Sequence, residues 1–502
     1  MSRSYRAAMA LLRLLIRAFF KRVEVEGLEN IPHDRGGLLV AWHPNGLIDP
    51  ALILAQLPGR VVFGARHGLL KVPILGTLMR AFGTVPIYRA ADVTGDEATR
   101  REANRTSLDA LADKIARGSF SALFPEGISH DRPHLMELKT GAARLYYRAR
   151  QLARAQDERR GTVSREGSGR GPVIIPVGLH YDEKHAFRSR ALVEFHPPIE
   201  VPAELDVSPA GDESDETFYA RARRLTAEIQ RALEQAVHPT TTWELHHLMH
   251  RGRTLVRAER VYRAGARPGR AAMVEQSLGF ARFWTGYQAL KNSRPGDVEA
   301  VLDVVREYDA DMSALGIEDR ELDGAPGLGS LLLPIALVAQ VVLVYLLLPP
   351  LLVLGYLVNL PAALLCRAIV KRMAQESKDE ASLKVIIGAI VFPITWTIVG
   401  VLVALGVIGL GGVFGVLRGV PLAAGLVAAI LSAVGGAVAI RYRRLTGETL
   451  RAIRVRRTRR VRAEEIERLR GVRARLHDLV IGLSSDLDLP GVVAPDGRVV
   501  SS

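Results

Sequence analysis

Three stretches of this chain carry no charged residue: Leu331–Cys366, Val385–Leu417 and Gly419–Ile440. A helix needs only ~20 apolar residues to cross a bilayer core, and buried helices of soluble proteins do not sustain runs of this length. Spanning segments are therefore expected. The first run, too long for one perpendicular crossing and broken at Pro349–Pro350, reads as a hairpin bent at the prolines or a re-entrant element. The second and third read as two crossings separated by Arg418. Lys371, Arg372, Lys378 and Lys384 flank one loop, and Arg441–Arg475 is densely basic, which places both on the cytoplasmic side of a cell or inner membrane, together with the front half. An even number of crossings follows.

The rest of the 502 residues reads as soluble. Charged residues make up 24% of the chain and apolar ones 48%, so wholesale disorder is excluded. The single cysteine, Cys366, rules out a disulfide framework, a multi-cysteine zinc cluster and iron–sulfur ligation. It lies in an apolar run, where a thiolate nucleophile is disfavoured. The net charge of +14 permits nucleic-acid binding, but no base-reading module is present and the arginines cluster beside apolar segments, where lipid phosphate is the nearer anion.

Residues 1–22 form an apolar helix with Arg3, Arg6, Arg13, Arg17 and Lys21 within an arc of roughly 80°. Such a helix suits an anionic membrane surface; equally, its apolar face can pack on the domain that follows. From 23 to 202, strand candidates Gly37–Trp42, Arg60–Ala65, Thr84–Tyr88, Phe120–Phe124, Val173–His180 and Ala191–Phe195 alternate with helical stretches. This is an α/β pattern, a mainly parallel sheet with helices on both faces. Residues 203–325 read as a polar helical region, 326–440 as transmembrane helices and 441–502 as a basic tail, a solvated helix near lipid headgroups. His246 and His250 are four apart, but ELHHLMH lacks the glutamate placement of a zinc-peptidase helix, and no metal site is expected.

Four blocks place reactive or phosphate-seeking groups just after strands, where a parallel sheet binds ligands. In Ala41–Pro50 (AWHPNGLIDP), His43 and Asp49 can form a base–orienter pair, although Asp49 before Pro50 is also a good helix N-cap. Gly83–Arg89 is a strand ending in Arg89, a forked donor suited to phosphate. Phe124–Gly127 (FPEG) sets Glu126 and Gly127 at a bend, with Lys139 in the later LKTG. Val173–Gly178 is an apolar strand kinked at Pro176.

In this order the blocks closely resemble the glycerophosphate and lysophosphatidic acid acyltransferase family, over roughly Val23 to Pro202. The stretch 71–76 (KVPILG) is similar to the family's segment between its first two motifs. One departure is visible. Five residues, 44–48, separate His43 from Asp49, where the family commonly has four; branches similar to eukaryotic-type glycerol-3-phosphate and dihydroxyacetone-phosphate acyltransferases, which also carry C-terminal spanning helices, have a longer gap. The resemblance implies that His43 deprotonates an acceptor hydroxyl, Asp49 fixes its tautomer, and Arg89, Glu126, Gly127 and Lys139 bind a phosphorylated glycerol or lysophospholipid. It also implies an acyl thioester donor, acyl-CoA or acyl carrier protein, as co-substrate, with no cofactor and no covalent acyl-enzyme. The rival reading is a membrane transporter or scaffold whose acyltransferase-like domain binds lipid without catalysis.

Overall fold

The computed structural model describes residues 3–501 apart from 58–60, 72–74, 89–96, 160–170, 208–213, 267–268, 325–348, 375–376 and 415–420. It divides into two compact units: Met1–His246 with Ala272–Ser277 and Ser377–Ser382, and the remainder.

In the first unit, β1 (Arg22–Glu26), β2 (Gly37–Ala41), β3 (Val61–Arg66), β4 (Val85–Ile87), β5 (Phe120–Leu123), β6 (Val173–Tyr181) and β7 (Arg190–Phe195) form one sheet in the order β1-β7-β6-β2-β5-β3-β4. Every pairing is parallel except the β6–β7 hairpin. This is the mainly parallel α/β sheet expected. Successive residues on a strand face opposite ways, so both faces of a central strand must be covered. On β2, Leu38 and Val40 join a core with Leu111 and Ile115 of α5 (Glu97–Ala116), Tyr147 of α6 (Gly141–Arg159), and Leu225 and Ile229 of α7 (Asp215–Val237). Leu39 and Ala41, on the alternate face, are also fully buried. Helix α7 falls beyond the boundary read at residue 202, yet it is an integral layer of this unit. Strand β1 escaped the sequence reading. Its RVEVE pattern is that of a half-exposed edge strand, paired only with β7.

Helix α1 (Arg3–Phe19) buries Tyr5, Leu12, Ile16 and Phe19, packs on α2 (Ile48–Gln56), and donates from Arg13 Nε to the Ala55 carbonyl at 3.0 Å. Arg3, Arg6, Arg13 and Arg17 remain exposed on its outer side, beside Leu11 and Leu14. The packing role expected of this helix is present, and the basic stripe is still free to face an anionic surface. At its C-terminal end, Arg188 of the β6–β7 hairpin, in the left-handed region at φ +65°, donates to the carbonyls of Arg17 and Phe20 at 3.0 and 3.2 Å. Cationic donors belong at that end of a helix, where carbonyls lack partners.

Among the described residues, the second unit is helical apart from a short terminal hairpin, Val492–Val493 with Val499–Val500. Leu255 and Val256 of α8 (Trp243–Arg263) pack with Val305, Tyr308 and Met312 of α10 (Pro295–Leu315), Leu322 of α11 (Asp319–Asp323), Val455 of α14 (Pro421–Val461), and Ile466, Leu469 and Leu476 of α15 (Ala463–Leu483). The basic tail is therefore not the solvated helix expected. Arg473, with no exposed surface, donates to Glu259 Oε2 at 2.9 Å, to the Asp319 carbonyl at 2.9 Å and to both oxygens of Asp323. Arg451 pairs with Glu318 and Glu321, and Arg470 donates to the Leu322 carbonyl.

Of the apolar runs, residues 331–348 and 415–420 lie outside the described residues. Pro349–Met373 is one helix, α12, and Ser377–Phe414 is α13, which follows α9 (Met273–Leu290) and the elements above in chain order. Asp379–Gly409 and Pro421–Val461 are long and apolar enough to cross a membrane. Their Ile394, Ile398, Leu402, Leu405, Leu426 and Ile430 are exposed, which a helix buried in a soluble core does not do. Asn359 of α12 accepts from Trp396 Nε1 of α13 at 2.8 Å and donates to the Ser432 carbonyl of α14 at 2.9 Å. A polar group packed among apolar helices needs such partners, and here they tie three helices together.

Candidate active site

Strands β6, β2 and β5 are neighbours and parallel, so their C-terminal ends lie at one edge of the sheet. His43 leaves β2 two residues past its end, and Phe124–Gly127 leave β5 beside it. The His43 ring stacks on Phe124 with centroids 4.0 Å apart and planes 15° from parallel. Its Nδ1 lies 2.8 Å from Asp49 Oδ2. The longer loop closes this gap because Gly46, at φ +47°, turns the chain back on itself and starts α2 at Ile48. Asp49 is thus inside the helix, not its N-cap. Its fully buried carboxylate accepts the Asn45 N–H at 2.7 Å and the Tyr181 hydroxyl at 2.5 Å as well as the imidazole.

Burial, together with the Asp49 charge and hydrogen bond, pushes the Tyr181 hydroxyl well above the usual tyrosine range, so it stays a donor. The proton shared with Asp49 sits on His43 Nδ1, since an ionised carboxylate only accepts. Nε2 is left as the basic nitrogen on a side chain 18% exposed. A reachable base over a dry carboxylate is the arrangement that accepts a proton from a bound hydroxyl.

The loop carrying the pair is braced on three sides. Asn45 Nδ2 donates to the Lys184 carbonyl at 2.9 Å, Lys184 Nζ reaches the Pro44 carbonyl and Asp131, and Leu47 N–H donates to Ser382 Oγ at 2.9 Å.

Glu126 is turned inward. It is 2% exposed; Oε1 accepts the His43 N–H at 3.1 Å, and Oε2 accepts the Met136 N–H at 2.8 Å and bonds His130 Nε2. Its placement is that of a brace for the β2 end. Gly127, at φ +75°, takes a backbone angle that residues with a side chain rarely adopt, and Lys139 Nζ lies beside it, 2.9 Å from where a Cβ would stand. Lys139 is exposed and sets a cation at this bend. Arg89, two residues past β4, lies outside the described residues.

The structure thus brings His43, Asp49, Glu126, Gly127 and Lys139 to one strand-end region. It adds two residues that the sequence reading did not single out. Tyr181 is 132 positions from its partner Asp49, and only strand pairing brings them together. His130 had a weak signal, four residues after Glu126.

The parallel sheet thus presents a histidine–aspartate pair beside a Phe-Pro-Glu-Gly bend at one strand-end edge. Residues 22–180 match the family model described as Acyltransferase. An uncharacterized acyltransferase of Schizosaccharomyces pombe is 24% identical over 282 residues, 40% of this chain and 39% of the relative. Glycerol-3-phosphate O-acyltransferase 1 of Saccharomyces cerevisiae is 38% identical over 93 residues, 18% of this chain and 10% of its own length. The solved structure of the 1-acyl-sn-glycerophosphate acyltransferase PlsC of Thermotoga maritima covers 46% of this chain and 80% of its own at 20% identity, with a TM-score of 0.29, too loose a likeness to carry an argument. The matches span well under half of the curated relatives. Over residues 22–180 the chain is thus similar to acyltransferases, glycerol-3-phosphate O-acyltransferases among them.

Proposed function

We propose that this protein is a membrane-bound O-acyltransferase that moves a fatty acyl group from acyl-CoA or acyl carrier protein to glycerol-3-phosphate or a lysophospholipid such as 1-acylglycerol-3-phosphate. The observation that carries this is the engaged Nδ1 of the partly exposed His43 over buried Asp49, within the segment that matches the Acyltransferase family model. As the acceptor oxygen attacks the thioester carbonyl, its proton passes to His43 Nε2. The new C–O bond forms, the tetrahedral centre collapses, and the C–S bond breaks. The imidazolium returns its proton to the departing thiolate, so the base is regenerated. Asp49 holds the tautomer and stabilises the transient positive charge. No acyl-enzyme is required, because a thioester is already activated. Arg89 and Lys139 supply cations for the acceptor phosphate, and Gly127 lets the β5 bend approach it. The exposed apolar helices and the basic stripe of α1 suit a lipid setting with the catalytic unit in the cytoplasm.

The test is His43→Ala in isolated membranes, with radiolabelled acyl-CoA and a panel of acceptors. Loss of transfer and of CoA release at normal expression is expected. Full activity in that variant would remove His43 as the base and the reading with it.

A further inference from the structure

We propose that His130 is a positioning residue for His43, acting through Glu126; the inference rests on the acyl-transfer reading above. The β5 loop holds both main-chain polar groups of His43. Glu126 Oε1 accepts its N–H at 3.1 Å, and the His130 N–H donates to its carbonyl at 3.0 Å. The His130 ring closes the circuit. Its Nδ1 accepts the Arg132 N–H at 3.2 Å, so the ring proton sits on Nε2 and is donated to Glu126 Oε2. Three residues therefore form a closed ring of hydrogen bonds: His43 to Glu126, Glu126 to His130, His130 back to His43. Both side chains on the loop are dry, His130 at 5% exposure and Glu126 at 2%. In such a setting a carboxylate oxygen without its donor has no water to turn to.

The ring does not touch the reacting atoms. It fixes where strand β2 delivers the imidazole, on top of the stacking on Phe124 and the bond to Asp49. Without the His130 donor, the Glu126 carboxylate is held only by the His43 and Met136 amides and is free to turn towards Met136. The His43 amide then loses its partner, and the ring moves by tenths of an ångström. Displacements approaching 1 Å cost ~100-fold in rate, so a partial slackening should cost roughly 10-fold or more.

The experiment compares His130→Gln, His130→Asn and His130→Leu with wild type in the same membranes, recording kcat, KM for acceptor and donor, and thermal stability. Glutamine can carry an amide N–H to the place of Nε2; asparagine is too short, and leucine has no donor. A kcat near wild type for His130→Gln is expected, with a fall of roughly 10-fold or more in the other two and KM values within about threefold. Asparagine keeps a polar side chain, so the comparison of Gln with Asn still decides the matter if the leucine variant fails to fold. Equal kcat for Gln and Asn, or losses that follow thermal stability with no kcat-against-KM split, would overturn the assignment. If wild type shows no His43-dependent transfer, the functional reading fails; wild-type transfer indifferent to residue 130 removes this inference alone.

Discussion

Replacing Asp49 by asparagine isolates one quantity, the charge beneath the base. Oδ2 receives both the His43 Nδ1 proton and the Asn45 N–H, whereas Oδ1 receives only the Tyr181 hydroxyl. An asparagine therefore settles with its oxygen at the Oδ2 position, and the amide nitrogen can donate to the Tyr181 oxygen once that hydroxyl turns. The tautomer of His43 survives, and what disappears is the attraction between imidazolium and carboxylate. For unit charges about 4 Å apart, that attraction is ~4 kcal/mol at an effective dielectric of 20. The remaining neutral hydrogen bond returns about 1 kcal/mol. A net ~3 kcal/mol corresponds to a fall in kcat of about two orders of magnitude, since each ~1.4 kcal/mol is tenfold. Substrate binding is not involved, so KM for acceptor and donor should stay within about threefold. Continuous detection of released CoA thiol, with acceptor and acyl-CoA varied in turn, measures both parameters. A kcat within threefold of wild type, or a loss confined to KM, would refute the role given to Asp49 and leave it as scaffold.

Two further outcomes follow from buried charge. Burial, reinforced by the charge of His180, pushes His238 down to about 3, while the unfolded chain takes up that proton near the ordinary 6.5. The stability from keeping it neutral is whole above pH 6.5 and drains as pH falls towards 3, by about 1.4 kcal/mol per unit for one proton. His238→Asn, which tolerates the φ of +53° there, should flatten acid unfolding of the catalytic unit over that window; an unchanged profile contradicts this. In the helical unit, Arg473→Leu leaves Glu259 and Asp323 without their shared buried cation and should cost about 3–5 kcal/mol, read as a lowered unfolding midpoint in micelles. A midpoint equal to wild type would show that these carboxylates find other partners.

What could be read from sequence followed the range of the interactions. Strands covered on both faces, such as Gly37–Ala41 and Val173–Tyr181, are unbroken apolar runs and were legible nearly to the residue. The edge strand Arg22–Glu26 answers to one neighbour and keeps its charges, so its local pattern said little. His43 and Asp49 are six positions apart and their pairing was readable, but the third donor to that carboxylate arrives from β6 through the sheet. Glu126 was visible as a polar group at a bend; that its oxygens turn inward depends on amides at 43 and 136 that no spacing rule connects. The tail arginines looked solvated because their acidic partners, Glu321 and Asp323, come more than a hundred positions earlier.

The grip of Arg188 on the end of α1 gives the amino-terminal helix a second identity. That guanidinium belongs to the same hairpin whose Lys184 steadies Asn45 and Pro44, so helix, hairpin and base loop form one mechanical train. A gene product shortened to begin at Val23 would lose more than a basic face: the hairpin would slacken, and turnover would drop even when substrates are supplied dissolved.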